Sequence, residues 1–265
     1  MKLAFCFLSI GDIAHRTAWS AFFQGVPSTD YAIWLHRADG HATSALPGAR
    51  CVPSHGTTRA TFSIVKAQQV LFEAACQDES VSKCILLSGD TVPLHPFETV
   101  SKAIMSHARG VLAWEAVASD EQASRARLTR RYAWPREWEW VWRVASQWCV
   151  LTREHVQLLS RYWGLLFHVF FTSHTPDEHL YPVFFHALGL LDSFVREPFM
   201  YVDWLHPTEA RPCGREHHLY PRTFHLEDLT PSRVRELRQR NRLMLRKVCE
   251  SDDCPPLWIE PDGAG

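Results

Sequence analysis

The strongest constraint on this chain is a repeated switch between short, unbroken apolar runs and stretches whose apolar residues fall at helical spacing. Residues 3–8 form the first such run, the pattern of a strand buried on both faces. A helix is expected over 14–23, stopped by Gly25-Val26-Pro27. Residues 31–36 are rich in β-formers and bounded by turn residues, so they read as a second strand. The stretch 37–56, rich in Gly, Pro, Ser and Ala, reads as a loop region with room for one brief strand. Residues 63–76 carry Val65, Val70, Leu71, Ala74 and Ala75 at helical spacing, and 84–87 is a third buried strand ending at Ser88-Gly89-Asp90. Alternation of this kind predicts an α/β domain with a largely parallel sheet. Ligands of such sheets lie beyond the carboxyl ends of the strands, which singles out Leu35-His36, Ser88-Gly89-Asp90 and Trp114-Glu115.

The second half is less regular. Between Ser119 and Trp142, five arginines (Arg125, Arg127, Arg130, Arg131, Arg136) interleave with Tyr132, Trp134, Trp138, Trp140 and Trp142. This is either a solvated loop whose guanidinium groups stack on aromatics or a ligand-facing loop. A strand is expected over 146–151, helices over 154–163 and 178–188, and a short strand over 200–204. Thr230-Pro231-Ser232 opens a final basic amphipathic helix, expected to carry Val234, Leu237, Leu243 and Leu245 and to end near Arg246-Lys247. Nothing marks an interdomain linker, so one domain is expected over 1–250, followed by a tail over 251–265.

Charge excludes one class of partner. Lys and Arg number 28 against 29 Asp and Glu, a net charge of −1, and no nucleic-acid partner is expected from so even a balance. No apolar run approaches the roughly 20 residues of a membrane-spanning helix. Met1-Lys2 followed by residues 3–10 looks superficially like a signal peptide. However, Gly11-Asp12 ends the run and no small-residue cleavage site follows, so it reads as a strand and the default location is the cytoplasm. The eight cysteines include no C-x-x-C pair, which fits reduced thiols, with pairing of Cys249 and Cys254 left open.

Three segments carry chemistry. Thr175-Pro176-Asp177-Glu178-His179 puts two carboxylates at a helix start, where Pro and acidic residues are favoured for capping alone. Ser88-Gly89-Asp90-Thr91-Val92-Pro93-Leu94 is a strand end with a glycine turn. Arg246-Lys247 stands where cations stabilise a helix end whether or not they bind anything.

Taken in order, these segments resemble the core-2/I-branching family of glycosyltransferases. Lys2-Leu3-Ala4-Phe5-Cys6-Phe7-Leu8, with Trp19 and Phe22-Phe23-Gln24-Gly25, is similar to the family's opening. Ser63-Ile64-Val65-Lys66-Ala67 and the run from Ile85 to Leu94 are similar to its central motifs. Ser146-Gln147-Trp148 through Thr152-Arg153-Glu154 resembles its S-Q-W, strand, S/T-R-E stretch. Pro176-Asp177-Glu178 resembles its P-D-E helix start, and Asp203-Trp204 its D-W segment. Tyr220-Pro221-Arg222-Thr223-Phe224 and Leu245-Arg246-Lys247-Val248 look like its closing basic motifs. The chain departs from the pattern in having Met244-Leu245 and Val248 where aromatics usually flank the Arg-Lys pair, and Phe62 in place of a Trp. Eukaryotic members generally carry an amino-terminal anchor and stem, and neither is expected from this sequence.

The resemblance implies a GT-A-like, Rossmann-type fold, with a mixed, mostly parallel sheet flanked by helices. It also implies inverting transfer of a sugar from a UDP-sugar to a hydroxyl of a glycan or glycoprotein acceptor, giving a β linkage. N-acetylglucosamine and xylose are the family's usual donors. Most GT-A enzymes neutralise the leaving diphosphate with a divalent cation on an Asp-x-Asp motif. This sequence contains no Asp-x-Asp, so no metal cofactor is expected. Arg246 and Lys247, with Arg222 second, are the expected diphosphate cations, since guanidinium groups offer planar bidentate donors to phosphate. Glu178 is the expected base. The family positions place Asp90 and Asp39 on the donor side, and Trp204 and Asp177 toward the acceptor, while Trp148 is expected in the core. Three other readings stay open. One is a glycoside hydrolase using Asp90 and Glu178. Another is an inactive glycan-binding module on the same fold, and the third a zinc protein using Cys213, His217 and His218.

Overall fold

A computed structural model describes residues 1–116, 143–205 and 221–259 of the chain. The apolar runs pair with one another as their burial demands. Strand β1 (Lys2–Ser9) lies between β2 (Tyr31–Arg37) and β4 (Val81–Ser88), parallel to both, and β3 (Ala49–Cys51) extends the sheet beyond β2. On the other side of β4, β9 (Val150–Thr152) runs antiparallel, followed by β6 (Gly110–Val111) and β10 (Phe194–Val195). The order β10-β6-β9-β4-β1-β2-β3 is the mixed, mostly parallel sheet flanked by helices expected of a GT-A-like fold.

Helix α1 (Arg16–Phe23) presses Trp19, Phe22 and Phe23 against Phe5 and Phe7 of β1. The Trp19 indole, fully buried, donates to the Thr91 carbonyl at 2.9 Å, so the core's largest side chain also fixes the turn after β4. Helix α2 (Phe62–Cys76) packs on the sheet, and α3 (Phe97–Met105) buries Phe97, Val100 and Ile104. Helices α4 (Arg153–Arg161), α5 (Trp163–Phe170) and α6 (Pro176–Ala187) follow in the second half. No helix among the described residues is long and apolar enough to cross a membrane.

A second, smaller sheet builds the rest of the site. Strand β12 (Met244–Arg246) lies between β11 (Met200–Val202), to which it is parallel, and β5 (Val92–Pro93), to which it is antiparallel. Val92, Leu94, Phe224, Leu229, Val234, Leu237, Leu245 and Val248 form a separate apolar cluster beneath it. The end of the chain is thereby bonded to the turn that follows β4.

The last helix corrects an expectation. Thr230 caps it, its hydroxyl accepting from the Arg233 N–H at 3.3 Å, and Pro231 occupies the first turn, but α7 (Pro231–Gln239) stops well before Leu243 and Leu245. Asn241 takes a left-handed φ of 57°, as asparagine readily does after a helix, and Leu243 N–H then bonds the Phe199 carbonyl at 2.7 Å. Arg246 and Lys247 therefore stand at a strand end, and the reading that they serve a helix dipole is overturned. The strand expected from Ser146 likewise begins only at Val150. The Ser146 hydroxyl accepts from the Trp148 N–H at 3.3 Å and holds a turn there. Strand β7 (Trp114–Ala116) pairs with β8 (Arg143–Ala145) in a two-stranded sheet of its own. The arginine- and tryptophan-rich stretch 119–142 and the Cys213, His217, His218 group lie outside the described residues. Cys249 and Cys254 are both free thiols.

Gly89 sets the spacing at the strand ends. A Cβ there would stand 2.1 Å from Ser9 Oγ and 2.8 Å from Ser9 Cβ, the second of which no side-chain rotation relieves. Gly89→Ala is expected to cost about 1–3 kcal/mol by this overpacking, measured by denaturant unfolding. A variant as stable as the parent contradicts the close approach of β1 and β4.

Candidate active site

The carboxyl ends of β1 and β4, the loop before α2, the start of α6 and the ends of β11 and β12 surround one cleft of about 840 Å³. That volume suits a ligand of several rings. Leu8, Ser9, Ile10 and Ser88-Gly89-Asp90 form its floor, as the rule for parallel sheets requires.

Asp90 is the hub. It is 6% exposed and accepts a hydrogen bond from the Ser88 hydroxyl. Arg246 Nε lies 3.4 Å from its Oδ1 and donates to Ser88 Oγ at 2.9 Å, while Lys247 Nζ lies 3.7 Å from its Oδ2. The backbone closes the same joint, Val248 N–H donating to the Asp90 carbonyl at 3.1 Å. The Arg246 guanidinium stacks 4.7 Å above the Trp148 ring, so Trp148, though buried as expected, also presents a face to the cleft. Burial pushes the Arg246 guanidinium below its ordinary range, Asp90 opposes the shift, and Arg59 adds to it by like-charge repulsion.

Glu178 and Asp177 line the same cleft. Both stand in the first turn of α6 beside Pro176, as expected of acidic residues at a helix start. Thr175, the residue before the first turn, has a left-handed φ of 46° and no side-chain cap, and its N–H bonds the Ala60 carbonyl at 3.2 Å. Ala60 is itself left-handed, with φ of 60°. Each such non-glycine residue costs about 1–2 kcal/mol. Two strained residues are thus bonded to each other, one beside Arg59 and the other just ahead of Asp177-Glu178. Asp177 is 9% exposed and its Oδ1 has no hydrogen-bond partner among the described residues. Burial drives its carboxyl above the ordinary range, an effect its own backbone N–H, Arg59 and His174 partly offset.

Trp204 also lines the cleft and is 52% exposed, a flat aromatic face open to a ligand. Six of the eight residues expected from the sequence (Glu178, Asp177, Asp90, Arg246, Lys247 and Trp204) therefore share this lining. Arg222 and Asp39 do not. Pro221 and Thr223 line the cleft, but Arg222 between them turns away to bond Asp228 at 2.6 Å and to stack 5.0 Å from Phe224. Asp39 is exposed and bonded to Arg37 at 2.6 Å, which holds its carboxyl at about 2. Its N–H bonds the Ile10 carbonyl at 2.9 Å, extending the pairing of β1 and β2 past their ends.

Arg59 is a charged lining residue that sequence reasoning missed, as it did His225 and Glu250. The available signal for Arg59 was its place in a strand-to-helix connection, the kind of loop that borders the ligand end of a parallel sheet. Below this loop lies His36, fully buried, its Nε2 accepting from the His55 N–H at 3.3 Å. Burial and the neighbouring His55 ring push its pKa down to about 4, so it is neutral there.

A family model described as Core-2/I-Branching enzyme matches residues 3–238. The chain is 27% identical over 175 residues to "Glycosyltransferase BC10" of Oryza sativa subsp. japonica, a match covering 60% of this chain and 40% of that protein. The match thus spans well under half the length of this curated relative. Among solved structures, "Crystal Structure of A197 from STIV" aligns over 59% of this chain and 68% of that one, with 10% identity and a TM-score of 0.30, too slight a likeness to bear on fold or function.

Removing the buried charge at Asp177 should stabilise the fold. Asp177→Asn is expected to raise the melting temperature by about 2 °C, corresponding to roughly 1 kcal/mol, in a thermal melt at neutral pH. A fall of several degrees would show that the charge itself supports the structure.

Proposed function

The chain belongs to the Core-2/I-branching enzyme family, and we propose that it is an inverting glycosyltransferase moving a sugar from a UDP-sugar onto a hydroxyl of a glycan or glycoprotein acceptor. The observation that carries this reading is that Glu178 and the Arg246–Lys247 pair line one cleft, although 68 residues of sequence separate Glu178 from Arg246.

Inversion in one displacement needs a base on the acceptor side and positive charge on the donor side. Glu178 takes the proton of the acceptor hydroxyl as that oxygen bonds the anomeric carbon. The bond from that carbon to the phosphate oxygen breaks, and the electron pair leaves with the diphosphate. Arg246 and Lys247 stabilise the departing charge, a fixed interaction worth several kcal/mol in a site sheltered from water. Asp90 offsets one of these two cations, and Arg59 restores a second net positive charge. Side chains thus supply what a divalent ion supplies in metal-dependent relatives, and no metal is needed. Trp204 stacks on a sugar ring and Asp177 stands beside the base on the acceptor side. Arg222 and Asp39, paired with Asp228 and Arg37 outside the lining, take no direct part in this step. N-acetylglucosamine and xylose lead as donor sugars. The lining holds five carboxylates (Asp90, Glu115, Asp177, Glu178, Glu250) beside its three cations, so it is the grouping of Arg246 and Lys247 about Asp90, not net charge, that favours a diphosphate over the uncharged substrate of a two-carboxylate hydrolase.

A panel of UDP-sugars, screened for thermal stabilisation and then for transfer, tests the reading. Glu178→Gln should lower transfer at least about 100-fold with UDP affinity unchanged. Arg246→Ala combined with Lys247→Ala should weaken UDP binding at least tenfold, about 1.4 kcal/mol or more. Unimpaired transfer by Glu178→Gln overturns the assignment of the base. Turnover should survive a chelator, whereas strict dependence on manganese would overturn the cation substitution.

A further inference from the structure

We infer that His225, Cys249 and Asp252 form a binding site for a zinc-class divalent ion at the mouth of the cleft. The imidazole nitrogen, thiol sulfur and carboxylate oxygen of these residues all lie within 4.8 Å of one another, with His225 Nδ1 already 3.3 Å from Asp252 Oδ2. Bonds of about 2.0–2.3 Å around a tetrahedral ion put its ligands roughly 3.3–3.8 Å apart, so side-chain rotation of about an ångström closes the set.

The backbone already holds these donors together. Phe224 N–H bonds the Lys247 carbonyl at 2.8 Å, Cys249 N–H bonds the Phe224 carbonyl at 2.9 Å, and Asp252 N–H bonds the Cys249 carbonyl at 3.0 Å. His15 Nδ1 contacts the Asp252 carbonyl at 2.7 Å, and Asp228 Oδ2 accepts from the His225 N–H at 2.8 Å. The three side chains thus project from segments locked to each other rather than from independent loops.

The donor chemistry selects the ion. One nitrogen, one sulfur and one oxygen suit zinc or cobalt, whereas magnesium and manganese prefer oxygen donors throughout. This is therefore a different kind of site from an Asp-x-Asp pair that shares an ion with a diphosphate. Binding replaces the Cys249 thiol proton, which passes to solvent as the sulfur takes the ion. Three protein ligands leave a fourth position for water or for an anionic group entering the cleft, which His225 itself lines.

Titration of the full chain with Co²⁺ alone, followed by absorbance, tests the site. A thiolate-to-cobalt charge-transfer band is expected in the parent, lost in Cys249→Ser and displaced by Zn²⁺. His225→Gln and Asp252→Asn should each weaken Co²⁺ binding at least about tenfold, with melting temperatures checked for every variant. No such band in the parent, or a band that persists in Cys249→Ser, overturns the proposal; so does Co²⁺ affinity that neither His225→Gln nor Asp252→Asn reduces. The outcome is independent of the transferase reading, because the probe is the metal and the readout is not turnover.

Discussion

One buried carboxylate, Asp90, joins the two ends of the chain's chemistry. It sits on the turn after the central strand β4, and its partners Arg246 and Lys247 arrive from the last strand of the second sheet. Taking away one member of such a pair is expensive, about 3–5 kcal/mol, because the remaining charge loses its compensation. Here both groups are desolvated, the Asp90 side chain being 8% exposed and that of Arg246 17% exposed and covered by Trp148. Two cations against one carboxylate leave the cluster positive, the charge that the proposed diphosphate requires.

The part of the lining that holds Arg59 and Glu178 is built differently. Strain, not charge pairing, shapes it. Ala60 and Thr175 occupy left-handed backbone that costs each of them energy, and the bond between them ties the Arg59 loop to the turn that presents Glu178. In the proposed displacement, this placement holds Glu178 and Arg59 in the same cleft as Arg246 and Lys247, so the groups assigned to both reacting ends are fixed in position. The buried Asp177 Oδ1, without a hydrogen-bond partner among the described residues, belongs to the same arrangement, in which stability is given up beside the proposed base.

Short-range pattern made much of this legible. Unbroken apolar runs announced β1, β2 and β4, and Thr230-Pro231 announced the start of α7, because those signals depend on neighbours in the chain. The sequence reading runs α7 too far because Leu245 falls on the helical face of Val234 and Leu237, whereas Leu243 falls on the opposite face, and its bond to Phe199 marks the switch to a strand. Arg222 was misplaced for a related reason. Its neighbours on either side face the cleft, and which member of an alternating stretch points inward depends on Asp228 and Phe224, partners that sequence does not reveal. Arg59 could not be weighed at all without its closeness to Arg246 and Asp177, both far away in sequence.

The most direct test is a crystal structure of Glu178→Gln soaked with UDP-N-acetylglucosamine, or with UDP-xylose if that sugar stabilises the protein better, in the presence of a chelator. The account predicts a diphosphate within hydrogen-bond distance, about 2.7–3.2 Å, of Arg246 and Lys247, with the anomeric carbon turned toward residue 178. A diphosphate seated elsewhere in the molecule, or one that appears in the cleft only when a divalent ion is added, would contradict it.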